Sequence, residues 1–276
     1  MRNRLLNLLK ANAAKGRGAQ AEGNIVYLYD YIAGSEAEAQ WFGGISAEGF
    51  TRQLGQMSGD VEIRIDSPGG DVFGGRAIAQ AIRDYPGQVT CRIDGLAASA
   101  ASYIAIAGDK VTAAPGAFLM IHRSWTLAMG NCGDLTATAG VLEKIDGTIA
   151  ASYAAKAGES DTDWLALMDA ETWLTGAEAQ ALGLVDEVLS EQATKAQGRV
   201  AWDLAAFEHA PAAAEATGEA DPAAAEASEE DPDEEGDNDG DPDDFPPLKD
   251  QDVAVHDVIA ARMRRLAVDL LLTRTA

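Results

Sequence analysis

The chain has 276 residues, 47% of them hydrophobic, enough for one large domain with its own core plus appendages. Its net charge of −24 is unevenly spread: residues 208–250 hold seventeen Asp/Glu and one Lys, which account for 16 of the 24 negative charges. So acidic a chain would repel the phosphates of nucleic acid, and with no run of 18 apolar residues no membrane span is expected.

In chain order, residues 1–23 read as a basic mobile arm whose leucine pattern is too short and too interrupted for a secretory signal. An ordered domain is expected over 24–192, opening with a β-rich run from Ile25 to Tyr29. Ser46 is a plausible N-cap for a helix that follows it. Val61 to Asp66 alternates as a strand and runs into the loop Ser67-Pro68-Gly69-Gly70; a helix is expected from about Gly75 to Tyr85, stopped by Pro86-Gly87. Val89 to Ile93 reads as the next strand, with Gly95 opening a small-residue helix through Ala107. Two short strands, 110–112 and 118–121, precede a long Ala-rich helix over about 134–157, short helices at 164–168 and 177–182, and a closing strand at 184–189. This alternation predicts an α/β fold with a mainly parallel sheet, whose functional groups gather at the carboxyl ends of the strands. Residues 193–250 read as an acidic Ala/Pro/Asp/Glu-rich disordered linker, unable to bury enough apolar surface to offset chain entropy. Residues 251–276 regain helical spacing at Val255, Ile259, Met263, Leu266 and Leu270, as an amphipathic terminal helix. Cys91 and Cys132 are too few and too far apart for a disulfide framework and read as reduced core thiols of a cytoplasmic protein.

Three histidines occur, and only His122 falls in the expected domain; His209 and His256 lie at or beyond the edge of the acidic tail. Imidazole is the side chain best suited to act as a base near neutral pH, although a lone histidine at a strand end is more often a satisfied core residue. Ser99 sits among small residues, Gly95 to Ser102, at a strand-to-helix junction. There a hydroxyl can be exposed, helix N-terminal amides can hold an oxyanion, and a peptide can approach closely; the plainer explanation of the small residues is helix packing. In the Ser67–Asp71 loop the paired glycines allow an N–H to turn toward a ligand, and Gly70 becomes a candidate second oxyanion donor beside Ser99. A carboxylate to orient the imidazole could come from Asp169, Glu171 or Asp186, and spacing alone does not choose among them.

Together these residues resemble the Clp protease proteolytic-subunit family. Four elements occur in family order over roughly 24–190: IRIDSPGGDVFGG (63–75), DGLAASAAS (94–102), FLMIHR (118–123) and ETWLTGAEAQALGLVDEV (171–188). The resemblance implies a crotonase-like spiral of βαβ units in which the long helix is a handle. It also implies serine endopeptidase chemistry with Ser99 as nucleophile, His122 as base and Glu171 as acid, where the family usually has Asp, with Asp169 as the alternative. Gly70 and Ala100 N–H groups would form the oxyanion hole, and Gly69, Asp71 and Val72 would border the substrate. No cofactor or metal is implied. The partners implied are copies of the chain itself, as a heptameric ring or stacked heptamers, and protein or peptide substrates. The Glu-Thr-Trp pattern and the acidic, helix-ended tail look most like the phage-encoded branch, the head maturation proteases that act on scaffold and capsid proteins. Three rival readings are a crotonase-type acyl-CoA enzyme, a Ser–Lys peptidase using Lys110, and a capsid scaffold with a degenerate protease domain.

Overall fold

The computed structural model describes residues 19–126, 128–158, 162–190 and 202–211. The expected terminal helix at 251–276, most of the basic arm and most of the acidic linker lie outside the described residues.

The fold is mixed α/β. Strands β1 (Ala19–Glu22) and β2 (Ile25–Leu28) form an antiparallel hairpin. The first strand thus begins before Asn24, the expected start of the domain. β2 pairs in parallel with β3 (Val61–Ser67), β3 with β4 (Val89–Ala98), β4 with β5 (Lys110–Ala113), and β5 with β8 (Glu187–Val188). One face of this sheet carries Ile63, Ile65, Cys91 and Ile93 into the main core, where they are fully buried. Helices α1 (Glu36–Phe42) and α2 (Ala47–Leu54) follow β2, α3 (Val72–Arg83) follows β3, and α4 (Ala100–Ala105) follows β4. Ser46 caps α2 as expected, accepting from Gly49 N–H at 2.9 Å. α1 has no apolar inner face, and none of its residues is buried, which is why hydrophobic spacing did not announce it.

Gly95 does not open a helix. β4 continues through it to Ala98, because the strand changes partners there: Thr90–Ile93 pair with β5, whereas Leu96–Ala98 pair with β6 (Phe118–Ile121). The buried carboxylate of Asp66 accepts from Leu96 N–H at 3.1 Å and steadies the change of direction. β6 also pairs antiparallel with β7 (Thr172–Thr175), a strand absent from the sequence expectation. The 26-residue α5 (Cys132–Ala157) packs through Ile145, Ile149, Ala150 and Tyr153, all in its C-terminal half, while Leu135 and Val141 nearer its start are exposed. Helices α6 (Trp164–Asp169) and α7 (Gly176–Ala181) complete the unit. Cys91 is a core thiol; Cys132, at the start of α5, is exposed and is not one. Among the described residues no helix is long and apolar enough to cross a membrane.

Residues 202–211 depart furthest from expectation. Assigned by composition to a disordered linker, they lie as a strap over the β4–β6–β7 end of the sheet. Trp202, Leu204 and Phe207 are buried against Leu96, Ala98 and Met120, forming a second apolar cluster. The Trp202 indole N–H donates to Asp66 at 3.1 Å. Burying three such side chains contributes on the order of 5 kcal/mol, which offsets part of the roughly 1–2 kcal/mol per residue that ordering the segment costs.

Candidate active site

Ser99 stands between the end of β4 and the first residue of α4, with φ 54° and ψ −121°. A left-handed φ is rare for a residue bearing a Cβ and costs roughly 1–3 kcal/mol. It is held by the Ser99 N–H donating to the Met120 carbonyl at 2.9 Å, and by its own carbonyl accepting from Ser102 N–H and Oγ. The turn thrusts the hydroxyl out of the sheet toward the residue that follows β6. That residue is His122, and its Nε2 lies 2.7 Å from Ser99 Oγ. With the imidazole neutral and its proton on Nδ1, Nε2 accepts the hydroxyl proton.

The Ser67–Asp71 loop lies directly against this pair. Gly69 has φ 91°, and a Cβ there would stand 2.6 Å from the Ala98 carbonyl oxygen and 2.8 Å from Ser99 Cβ. Gly70, at φ 146°, is pressed onto Ile32 in a short parallel bridge: Ile32 N–H donates to Gly69 and Asp71 N–H to Ile32, both at 2.8 Å. That bridge uses the Gly69 carbonyl and the Asp71 N–H and leaves the Gly70 N–H out. Ala100, as the first residue of α4, has no helical acceptor either. Among the described residues no backbone carbonyl takes the N–H of Gly70 or of Ala100. Both residues, with Ser99 and His122, border one cleft of ≈ 440 Å³. Asp71 and Val72 border it too, but Gly69 lies beneath Ser99 and does not line it. The Asp71 carboxylate is occupied as the N-cap of α3, accepting from Gly74 N–H at 2.7 Å.

The carboxylates are arranged differently from the expected triad. Asp169 forms a two-pronged pair with Arg123, at 2.7 and 2.8 Å, and Asp186 binds Val111 N–H and Lys156. Glu171, at φ 45°, accepts from the Glu208 and His209 backbone amides at 3.0 and 2.7 Å and from the Trp173 indole at 3.3 Å. Among the described residues no hydrogen bond joins it to His122. Burial of the imidazole pushes its pKa from 6.5 down to about 4, the charges of Glu171 and Asp146 opposing that shift. His122 is therefore neutral, and able to accept a proton, at neutral pH.

Sequence reasoning missed three parts of this site. Asp146, buried on α5, accepts from Ser124 N–H at 2.8 Å and Ser124 Oγ at 2.6 Å, pinning the chain just after His122. A lone aspartate inside an apolar helical stripe, between Ile145 and Ile149, was the available signal. Phe207 stands edge-on to His122, ring centroids 5.6 Å apart, and to Trp173 at 5.7 Å. His209, placed by composition in the tail, reaches the site through its backbone N–H. Lys110 pairs with Glu187 at 2.6 Å on the far edge of the sheet, with no part in the cleft.

A family profile described as Clp protease matches residues 47–192, just over half of the chain. The chain belongs to the Clp protease family. Among its relatives, an ATP-dependent Clp protease proteolytic subunit of Bacteroides fragilis is 34% identical over 132 residues, covering 47% of this chain and 64% of that protein. Its counterpart in Deinococcus radiodurans is 28% identical over 162 residues, covering 58% and 79%. A third, subunit 3 of Streptomyces coelicolor, is 31% identical over 136 residues, covering 49% and 63%. The chain thus spans a little under two thirds of the Bacteroides relative, and the family match stops short of the strap at 202–211.

Proposed function

We propose that the protein is a serine endopeptidase that cleaves peptide bonds through an acyl-enzyme. The observation that carries this reading is the 2.7 Å approach of Ser99 Oγ to His122 Nε2 at a strained turn beside two unengaged backbone amides. Ser99 Oγ attacks the scissile carbonyl as His122 takes its proton, and the N–H groups of Gly70 and Ala100 receive the oxyanion. His122 then protonates the leaving amine, and water, deprotonated by the same imidazole, releases the acyl group. Glu171 favours the imidazolium by its charge. The expected outcome for Ser99→Ala is loss of peptide-ester and casein hydrolysis with assembly intact; normal turnover would sink the assignment.

Three finer readings go with it. The chain folds as a crotonase-like spiral with α5 as its handle, and the exposed Leu135 and Val141 on that helix are suited to pairing with a second copy in a ring, heptameric by family resemblance. The peptidase unit includes the strap at 202–211 and is followed in sequence by an acidic run. The Glu-Thr-Trp pattern at 171–173 and the acidic tail favour the head maturation branch, with scaffold or capsid proteins as substrates in a host cytoplasm. An acyl-CoA enzyme of the same architecture would need no Ser–His pair, and thioester turnover that survives Ser99→Ala would favour it.

A further inference from the structure

The strap meets the site at three points. Phe207 packs edge-to-face on the His122 ring, a geometry in which the ring edges and faces attract, and it forms one wall of the cleft. The amides of Glu208 and His209 each donate to a different oxygen of Glu171. Trp202 ties the strap to Asp66, at the end of the strand that carries the Gly69–Gly70 loop. We propose that residues 202–211 are part of the catalytic apparatus, with Phe207 a positioning residue that holds the imidazole against Ser99 and the two strap amides fixing the Glu171 carboxylate. This rests on the peptidase reading above.

Packing argues for a built-in wall rather than a removable plug. Leu204 is fully buried and Trp202 nearly so, and the indole N–H is satisfied by a buried carboxylate. The cleft reaches Ser99 with the strap in place, so Phe207 borders the substrate path without closing it. The ring of Phe207 also helps keep water from the imidazole, which meets Ser99 and feels the charges of Glu171, on the approach to β7, and Asp146 of α5; the adjoining Arg123 pairs with Asp146 and Asp169, and the Glu208 and His209 amides bind Glu171. Removing the ring leaves a space beside His122 that water or a rotated imidazole would fill. A displacement of about 1 Å at a general base lowers turnover by roughly 10²-fold.

The test uses the full chain carrying Phe207→Ala, with Phe207→Leu as the milder variant should the first fail to fold. Carbethoxylation of His122 by diethylpyrocarbonate, followed against pH by peptide mass spectrometry, reports the neutral imidazole without requiring activity. Hydrolysis of a peptide ester is followed in parallel. In the native chain the carbethoxylation midpoint should lie well below 6.5. In Phe207→Ala it should rise toward 6.5, with kcat lower by roughly 10²-fold and KM within about threefold; Phe207→Leu should show both changes in the same direction, with kcat lower by roughly 10-fold. A folded Phe207→Ala, or Phe207→Leu in its place, with an unmoved midpoint and unchanged kcat overturns the proposal. A midpoint that shifts in a protein that hydrolyses no ester even with Phe207 present sinks the peptidase reading while leaving the hold of the strap on His122 intact.

Discussion

Gly70→Ala probes the backbone on which the oxyanion site depends. An added methyl would fall well inside van der Waals contact distance of the Ile32 carbonyl oxygen and 2.7 Å from its amide nitrogen, at a φ of 146° that alanine does not adopt without strain. The loop has to move, and with it the two 2.8 Å hydrogen bonds of the Ile32 bridge. Losing those bonds at about 1 kcal/mol each, with residual strain of about 1–3 kcal/mol, predicts a destabilisation of about 3–5 kcal/mol. Turning one oxyanion donor away predicts a further, separable loss of about 10²–10³-fold in kcat. Urea unfolding followed by circular dichroism measures the first quantity, and peptide-ester turnover, corrected by active-site titration, measures the second. A folded Gly70→Ala protein with kcat within threefold of the parent would refute the role given to this amide.

The pH dependence has a definite sign. Because burial lowers His122 to about 4, kcat/KM should stay level from about pH 8 to about pH 5 and fall only below that; an acid limb at 6.5 would contradict the assignment. Above 6.5 the imidazole is neutral whether the chain is folded or unfolded. As pH falls from about 6.5 toward 4 the unfolded chain takes up a proton that the folded chain refuses, so stability is lost across that window, and unfolding midpoints at pH 7 and pH 5 should differ accordingly. Lys110→Ala removes a half-exposed pair with Glu187 and should leave kcat unchanged and stability within about 1 kcal/mol; abolished activity would revive a Ser–Lys mechanism.

Ser99 was legible as a serine among small residues at a strand-to-helix junction, and His122 as the histidine following a short apolar strand, both of them local patterns. The helix start at Ser46 was legible because a cap is a local device, whereas the helix expected from about Gly75 begins at Val72, capped by Asp71. What remained hidden depends on contacts remote in sequence. The continuation of β4 past Gly95 is decided by β6 and by Asp66, neither of which a window around Gly95 contains. Glu171 could be aligned with a family acid, but its partners are amides 37 and 38 residues away. The strap was concealed by its neighbours: three large apolar residues, Trp202, Leu204 and Phe207, stand next to a long acidic run that dominates any average taken over the region. Their spacing of two and three residues, as the last large apolar group before that run, was the only signal for a segment that docks without forming helix or strand.

The most direct test of the central claim is labelling of the native protein with a fluorophosphonate, read by intact mass and peptide mapping. One adduct per chain on Ser99, formed far more slowly in His122→Ala, is the expected result. An adduct on a different serine, or none under conditions in which the protein hydrolyses a peptide ester, would contradict the assignment.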